Sequence, residues 1–332
     1  MNAIHEVWIW AEQRDGRLMD VSLEILGKAS ELAEAIGGGT AAILIGDELS
    51  PLARELIAYG ADKVYLFSDP RLTYYQSDAY TRLISDLLEK QRPEILLLGG
   101  TTIGMDLAPS VAARIKTGLT AHSCKLEIDK SGDKPLLMAA VPGWGGGMIV
   151  NIACPEHRPQ MVTVRQGVME KPPRDDHHSG ELIPMEVQLN ERDFRVKCIE
   201  MVETIPKGPQ IDTSDVVVAG GYGMKCQGSL LPLEELTDLL HGALGGTRPA
   251  LDEGWIPECS MIGVNGKAIG PKLLITVGTS GANHYTAGFV KAGTVVAINS
   301  DPDAPIFDVC DIGIVGDALE VIPAMVKALK AL

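Results

Sequence analysis

Apolar positions along the first 120 residues follow two alternating rhythms. Short unbroken runs, among them Val7-Trp8-Ile9-Trp10, Ala41-Ala42-Ile43-Leu44-Ile45, Val64-Tyr65-Leu66 and Ile95-Leu96-Leu97-Leu98-Gly99-Gly100, read as strands buried on both faces. Between them, apolar residues at helical spacing mark 18–36, 52–58, 80–91 and 106–116. Strand and helix in alternation predict a parallel α/β sheet. After residue 120 the apolar runs crowd together at 124–129, 135–141, 148–154 and 160–164, with the glycine-rich 143–147 as a turn. Close spacing of that kind predicts added antiparallel strands.

The pattern then fails over 170–181, EKPPRDDHHSGE, which has no apolar period and reads as a loop or linker. Its Asp175-Asp176-His177-His178 is a solvated loop rather than a metal site, because adjacent side chains on one loop rarely converge on a single ion. A second break, Pro206-Lys207-Gly208-Pro209, precedes a fresh series, so the domain boundary is placed between 204 and 205. Beyond it, strands are predicted at 216–219, 273–277, 295–298 and 312–315, with helices over 233–243 and 318–329. No internal repeat is apparent.

Composition narrows the function classes. The formal charge of −15 argues against a nucleic-acid partner and against an anionic membrane surface. It divides into −9 before residue 205 and −6 after it, so it is a spread surface charge and no acidic tail. Two uncharged stretches, 135–155 and 273–290, are each broken by proline or glycine and make poor membrane spans. The first residues, MNAIHEVWIWAEQRDGR, lack a basic leader, and the six cysteines are scattered without a CxxC pair. A soluble, cytoplasmic protein with free thiols is the expectation.

Glycine changes the picture most. Half of the 36 glycines fall in the last 128 residues, and they gather directly after the predicted strands: Gly220-Gly221-Tyr222-Gly223 and Gly278-Thr279-Ser280-Gly281. Asn299-Ser300-Asp301-Pro302 and Gly316-Asp317 follow the other two. In an open parallel sheet, ligands bind outside the carboxyl ends of the strands. Bare backbone N–H groups at such turns cradle phosphate, so several turns around one crevice predict a dinucleotide. The common fingerprints fail letter by letter. A G-x-G-x-x-G beginning at Gly221 meets Cys226, no P-loop is present, and Gly278-Thr279-Ser280-Gly281-Ala282 lacks the last glycine of a nucleophile elbow.

Ordered motifs then identify a resemblance. VVVAGGYG at 216–223, LGGTRPALDEGW at 244–255, MIGVNGKAIGPKLLITVGTSGANHYTAG at 261–288 and VVAINSDPDAPIFDVCDIGIVGD at 295–317 resemble the alpha subunit of electron-transfer flavoprotein. The likeness extends more loosely through TGLTAHSCKLEID at 117–129 and RPQMVTVRQGVMEKP at 158–172. It implies two domains: an N-terminal parallel α/β scaffold and interface domain with added antiparallel strands (1–204), and a C-terminal doubly wound FAD-binding domain (205–332). It also implies a beta subunit that completes a heterodimer, and electron transfer between dehydrogenases, of the acyl-CoA dehydrogenase type, and an acceptor.

Carried over by position, the FAD contacts implied are Tyr222, Thr247, Arg248, Ile262, Gly263, Val264, Asn265, Ser280, Gly281, Ala282, Asn283, His284, Tyr285, Asn299, Asp317 and Ala318. Asp317 also suits the N-cap of the last helix, and Asn299 suits a turn. Arg248 is one of eight basic residues after 204; a guanidinium beside the ring stabilises the negative charge that reduction places there. Departures from the family pattern fall on the ring. Tyr222 stands where many members have arginine, Val264-Asn265 where they have Gln-Thr, and His284-Tyr285 where they have Gln-His. The Asn265 amide can donate to the flavin, and either the Tyr285 phenol or the His284 imidazole can meet its pyrimidine edge.

Three classes remain open: a flavoprotein electron carrier, a self-sufficient NAD-dependent dehydrogenase, and a nucleotide-binding regulatory module. Within the first, simple transfer competes with electron bifurcation using NADH and ferredoxin. No general acid or base is required of the chain, because electrons pass through the flavin.

Overall fold

The computed structural model describes residues 4–331 except 133, 144–147, 197 and 203–207. The expected 143–147 turn with Trp144, and the 204/205 boundary with Pro206 and Lys207, fall outside the described residues. Two compact units adjoin in sequence at Met201 and Val202.

The N-terminal unit alternates as its apolar runs dictate. β1 (Ile4–Trp10) leads through a small hairpin, β2 (Gln13–Arg14) and β3 (Arg17–Leu18), into α1 (Asp20–Ile36). There follow β4 (Gly39–Gly46), α2 (Ser50–Ala58), β5 (Lys63–Ser68), α3 (Ser77–Gln91), β6 (Pro93–Gly99), α4 (Thr102–Ile115) and β7 (Leu119–Ser123). Next come β8 (Lys125–Asp129), β9 (Leu136–Gly143), β10 (Met148–Ile152), β11 (Gln160–Val164) and β12 (Glu181–Met185). Seven of these strands form a wholly parallel sheet in the order β12-β5-β4-β1-β6-β11-β7.

Side-chain alternation sorts the core. Val7 and Ile9 of β1 face α1 and α2, while Trp8 and Trp10 face α3 and α4, giving two buried layers. The end of β1 is fixed by the buried Glu12 carboxylate. It accepts hydrogen bonds from Arg14 and from the Thr101 hydroxyl, and Thr101 in turn caps α4.

The antiparallel addition is the three-stranded sheet β10-β9-β8, whose Leu126, Leu137 and Ala139 pack into the α1 layer. The strand expected at 160–164 does not belong to it. β11 lies parallel between β6 and β7, and all five of its residues are buried, as the centre of a parallel sheet requires. The segment read as a linker lies along the surface without regular structure until β12, which adds an edge strand beside β5. There Asp176 pairs with Arg174, and among the described residues no three His, Cys, Asp or Glu side chains are grouped to hold a metal ion.

The C-terminal unit contains β13 (Val216–Gly220), α5 (Leu231–Leu239), β14 (Ala243–Gly246), α6 (Arg248–Asp252), β15 (Leu273–Val277), α7 (Asn283–Thr286), β16 (Thr294–Asn299), β17 (Ile312–Val315) and α8 (Ala318–Leu329). Its five strands are all parallel, ordered β14-β13-β15-β16-β17, so the winding reverses between β13 and β15. α5 and α8 cover one face, over Val218, Ile275 and Ile298. The other face, with Val217, Ala219 and Leu274, is covered by loops and the one-turn α7 through Ile262, Tyr285, Phe289 and Ile306. β14 was not among the expected strands; the helix foreseen over 233–243 stops at Leu239, and Ala243–Gly246 extends instead. Among the described residues no helix is long and apolar enough to cross a membrane.

Candidate functional site

At the carboxyl ends of β13, β14, β15 and β16 the C-terminal unit opens into a cleft of about 500 Å³. It sits where the strand order reverses, the position at which open α/β sheets bind ligands. Its walls are the loops themselves, packed backbone on backbone. The Gly221 N–H donates to the Val277 carbonyl at 2.9 Å, and the Gly223 N–H to the Gly278 carbonyl at 2.9 Å. A Cβ on Gly221 would stand 2.4 Å from the Gly278 oxygen, so the two strand-end turns can meet only without side chains. Gly281 is more constrained still: φ is +87°, and a Cβ there would lie 2.2 Å from the Ile306 nitrogen.

β14 brings Thr247 and Arg248 to the cleft. Thr247 is buried, and its Oγ1 has no hydrogen-bond partner among the described residues. An orphaned hydroxyl in a cleft wall is costly unless a ligand completes it. Arg248 is largely exposed, and its Nε donates to Asp252 Oδ1 at 2.7 Å, a pairing that raises the guanidinium pKa further. It therefore lines the cleft and forms a surface ion pair at once.

The segment 261–266 forms the next wall. The Ile262 N–H extends the β14 edge by donating to Gly246, and the Val264 N–H donates to the His284 carbonyl at 2.8 Å. Val264 and Asn265 are exposed on this wall. After β15 the chain runs through 278–285. Among the described residues the backbone N–H groups of 279–284 have no acceptor, and five of these six residues, all but Asn283, line the cleft. The helix behind this run, α7, has only 4 residues, so the individual amides and not a macrodipole supply the positive potential.

Asn299 at the end of β16 joins two loops. Its Nδ2 donates to the Thr279 carbonyl at 2.7 Å and its Oδ1 accepts from the Asp301 N–H at 2.9 Å, so the turn role and the cleft position coexist.

The structure brings Tyr222, Thr247, Arg248, Ile262, Gly263, Val264, Asn265, Ser280, Gly281, Ala282, His284, Tyr285 and Asn299 into this one cleft. It leaves out three positions. Asn283 is exposed on α7, while Asp317 and Ala318 follow the edge strand β17, where Asp317 caps α8 by accepting from the Leu319 N–H at 2.9 Å. Tyr285 lines the cleft but turns its phenol inward, hydrogen-bonded to Thr276 at 2.9 Å and packed edge-on against Phe289. Burial raises its pKa. Of the two residues able to meet the flavin, His284 is the exposed one. Tyr222, in the place of the usual arginine, stacks parallel to Trp255 with ring centroids 6.1 Å apart and has the Lys225 ammonium 5.5 Å from its ring. The predicted contacts omit Gly223, Pro249, Met261, Gly266, Gly278, Thr279, Asp301, Ala304 and Pro305, which also line the cleft and all stand inside the quoted motifs.

A glycine-built cleft at a strand-order reversal, with bare amides and an unpaired hydroxyl, defines a parallel α/β protein that binds a dinucleotide. Comparison with known proteins specifies which. Residues 7–189 match the family model described as electron transfer flavoprotein domain, and residues 210–290 the one described as electron transfer flavoprotein FAD-binding domain. The chain is 42% identical over 332 residues to electron transfer flavoprotein subunit alpha of Thermoanaerobacterium thermosaccharolyticum, covering 100% of each. It is 44% identical over 326 residues to the subunit of the same name from Megasphaera elsdenii, covering 98% of this chain and 96% of that one. It is also 36% identical over 326 residues to the LctC subunit of the lactate dehydrogenase (NAD(+),ferredoxin) of Acetobacterium woodii, covering 98% and 77%. The chain belongs to the electron transfer flavoprotein alpha subunit family, and its cofactor is FAD.

Proposed function

We propose that the chain is the FAD-holding half of a cytoplasmic, two-subunit electron carrier, with an electron transfer flavoprotein beta subunit as partner. It passes electrons between dehydrogenases of the acyl-CoA type and an acceptor. The observation that carries the placement of FAD is the run of bare amides at 279–284 in a glycine-lined cleft that also holds the unpaired Thr247 hydroxyl. Those groups suit the pyrophosphate, an anion that needs converging donors more than full charges. Bound there, FAD supplies the one- and two-electron chemistry. The chain supplies binding and electrostatics: Arg248 favours the reduced ring, and the Asn265 amide and His284 imidazole are the donors exposed on the cleft wall for its polar edge. Tyr285 is not among those donors, since its phenol is engaged in the core.

A second reading is bifurcating transfer with NADH and ferredoxin, favoured by the relative whose name couples NAD(+) and ferredoxin. The flavin count of the purified two-subunit complex separates the two. One FAD with one bound AMP supports simple transfer; two FAD support bifurcation. A complex without flavin contradicts both.

A further inference from the structure

Beneath the bare-amide loop lies a closed line of three hydroxyls. Tyr285 Oη is 2.9 Å from Thr276 Oγ1, and Thr276 Oγ1 is 2.7 Å from Thr279 Oγ1. All three residues are buried, at 6%, 0% and 2% exposure. Thr276 stands on β15, Thr279 opens the loop and Tyr285 closes it, so both ends of the loop are tied to one strand residue. The Thr279 carbonyl in addition accepts a hydrogen bond from Asn299 Nδ2.

Three hydroxyls carry three protons, and the line contains only two hydrogen bonds. One proton must be directed elsewhere, and the surroundings decide which. Were Thr279 to donate to Thr276 and Thr276 to Tyr285, the spare proton would sit on a phenol packed against Phe289, with no acceptor for it among the described residues. If both outer hydroxyls donated to Thr276, the spare proton would sit on a side chain with no exposed surface. The direction Tyr285 to Thr276 to Thr279 leaves the free O–H on Thr279, which lines the cleft, whereas the Tyr285 phenol, although its residue also borders the cleft, is turned into the core against Phe289.

We infer that this line is a polarised clasp: Tyr285 is a positioning residue that commits Thr279 to donate its hydroxyl into the cleft, toward a phosphate oxygen of the bound dinucleotide. The inference rests on the reading that this cleft holds FAD. It also gives Tyr285 a task compatible with a phenol turned away from the flavin. Thr276 and Thr279 each accept before they donate, which strengthens the terminal donor.

The test uses the two-subunit complex, stripped of flavin and titrated with FAD by flavin fluorescence. Thr279→Val keeps shape but removes the donor, and is expected to weaken FAD binding about 10- to 100-fold, the range for a hydrogen bond to a charged group. Thr279→Ser is expected to restore binding to within about threefold, which a purely space-filling role would not predict. Tyr285→Phe frees Thr279 to donate backwards to Thr276, so it should weaken binding about 3- to 10-fold, and the double variant should be no weaker than Thr279→Val alone. Wild-type affinity for Thr279→Val, or additive losses in the double variant, overturns the clasp. Gly281→Ala separates this failure from failure of the site: wild-type affinity in that variant as well would mean that FAD does not occupy this cleft.

Discussion

Replacing Gly281 by alanine perturbs the cleft at its tightest point. With φ at +87°, any L side chain carries a backbone strain of about 1–3 kcal/mol. The new methyl would also stand 2.2 Å from the Ile306 nitrogen and 2.6 Å from its Cα, against rigid backbone and not a movable side chain. Relief requires the 305–306 segment to move by about 1 Å, breaking the 3.1 Å hydrogen bond from the Ile306 N–H to the Ser280 carbonyl; overpacking of this kind adds about 1–3 kcal/mol. The combined effect is about 2–6 kcal/mol, most of it avoidable if the 278–285 loop abandons its bound geometry. The unliganded unit then keeps its fold while FAD affinity falls at least about 30-fold, at tenfold per 1.4 kcal/mol. Gly254→Ala is the control. Its φ of +73° imposes similar strain, but nothing lies within 4 Å of the new Cβ, so a modest drop in Tm with FAD affinity within about threefold of wild type is expected. FAD titration of the flavin-stripped complex, with far-UV circular dichroism for folding, reads both. Gly281→Ala binding FAD as tightly as wild type would refute the reasoning.

Thr247→Val should produce opposite signs in two assays: a gain of about 1 kcal/mol in stability without FAD, from removing the unpaired buried hydroxyl, and FAD affinity lowered about tenfold. Urea unfolding and FAD titration check the pair, and a parallel loss in both would mean the hydroxyl has a structural partner. Arg248→Ala should lower the flavin potential by roughly tens of millivolts, and Arg248→Lys by less. Redox titration with an unchanged potential would show the side chain committed to Asp252 alone. Asp317→Ala should cost about 1 kcal/mol of stability through the lost α8 cap, with FAD affinity unchanged. A weakened FAD affinity would restore it as a contact.

How much of this was legible in the sequence depended on whether one residue's neighbours determine its role. Leu273–Val277 and Ile312–Val315 coincide with their apolar runs, and Ala318–Leu329 with a helical period opened by an aspartate cap, because such signals are local. β14 was hidden: Ala-Leu-Gly-Gly has little strand propensity and extends because glycine lets it lie close beside β13 and Met261. β11 was visible as a strand but not in direction, since its partners β6 and β7 are set by tertiary pairing and Gln160 and Thr163 interrupt the apolar run that marks a central parallel strand. The cleft was legible as glycine-rich turns after strands. The direction of Tyr285 was not, because a one-turn helix can present either of two adjacent side chains to solvent. Thr276, a hydroxyl within the apolar run of β15, was the signal that something polar had to meet it in the core.

The central claim is that FAD binds through the bare amides of the 278–285 loop. Hydrogen–deuterium exchange of the two-subunit complex, with and without FAD, addresses those amides directly. The amides of 279–284 are expected to exchange freely in the flavin-stripped complex and to become strongly protected when FAD is added, while α5 and α8 change little. Stoichiometric FAD binding that leaves exchange in 279–284 unaltered would contradict it.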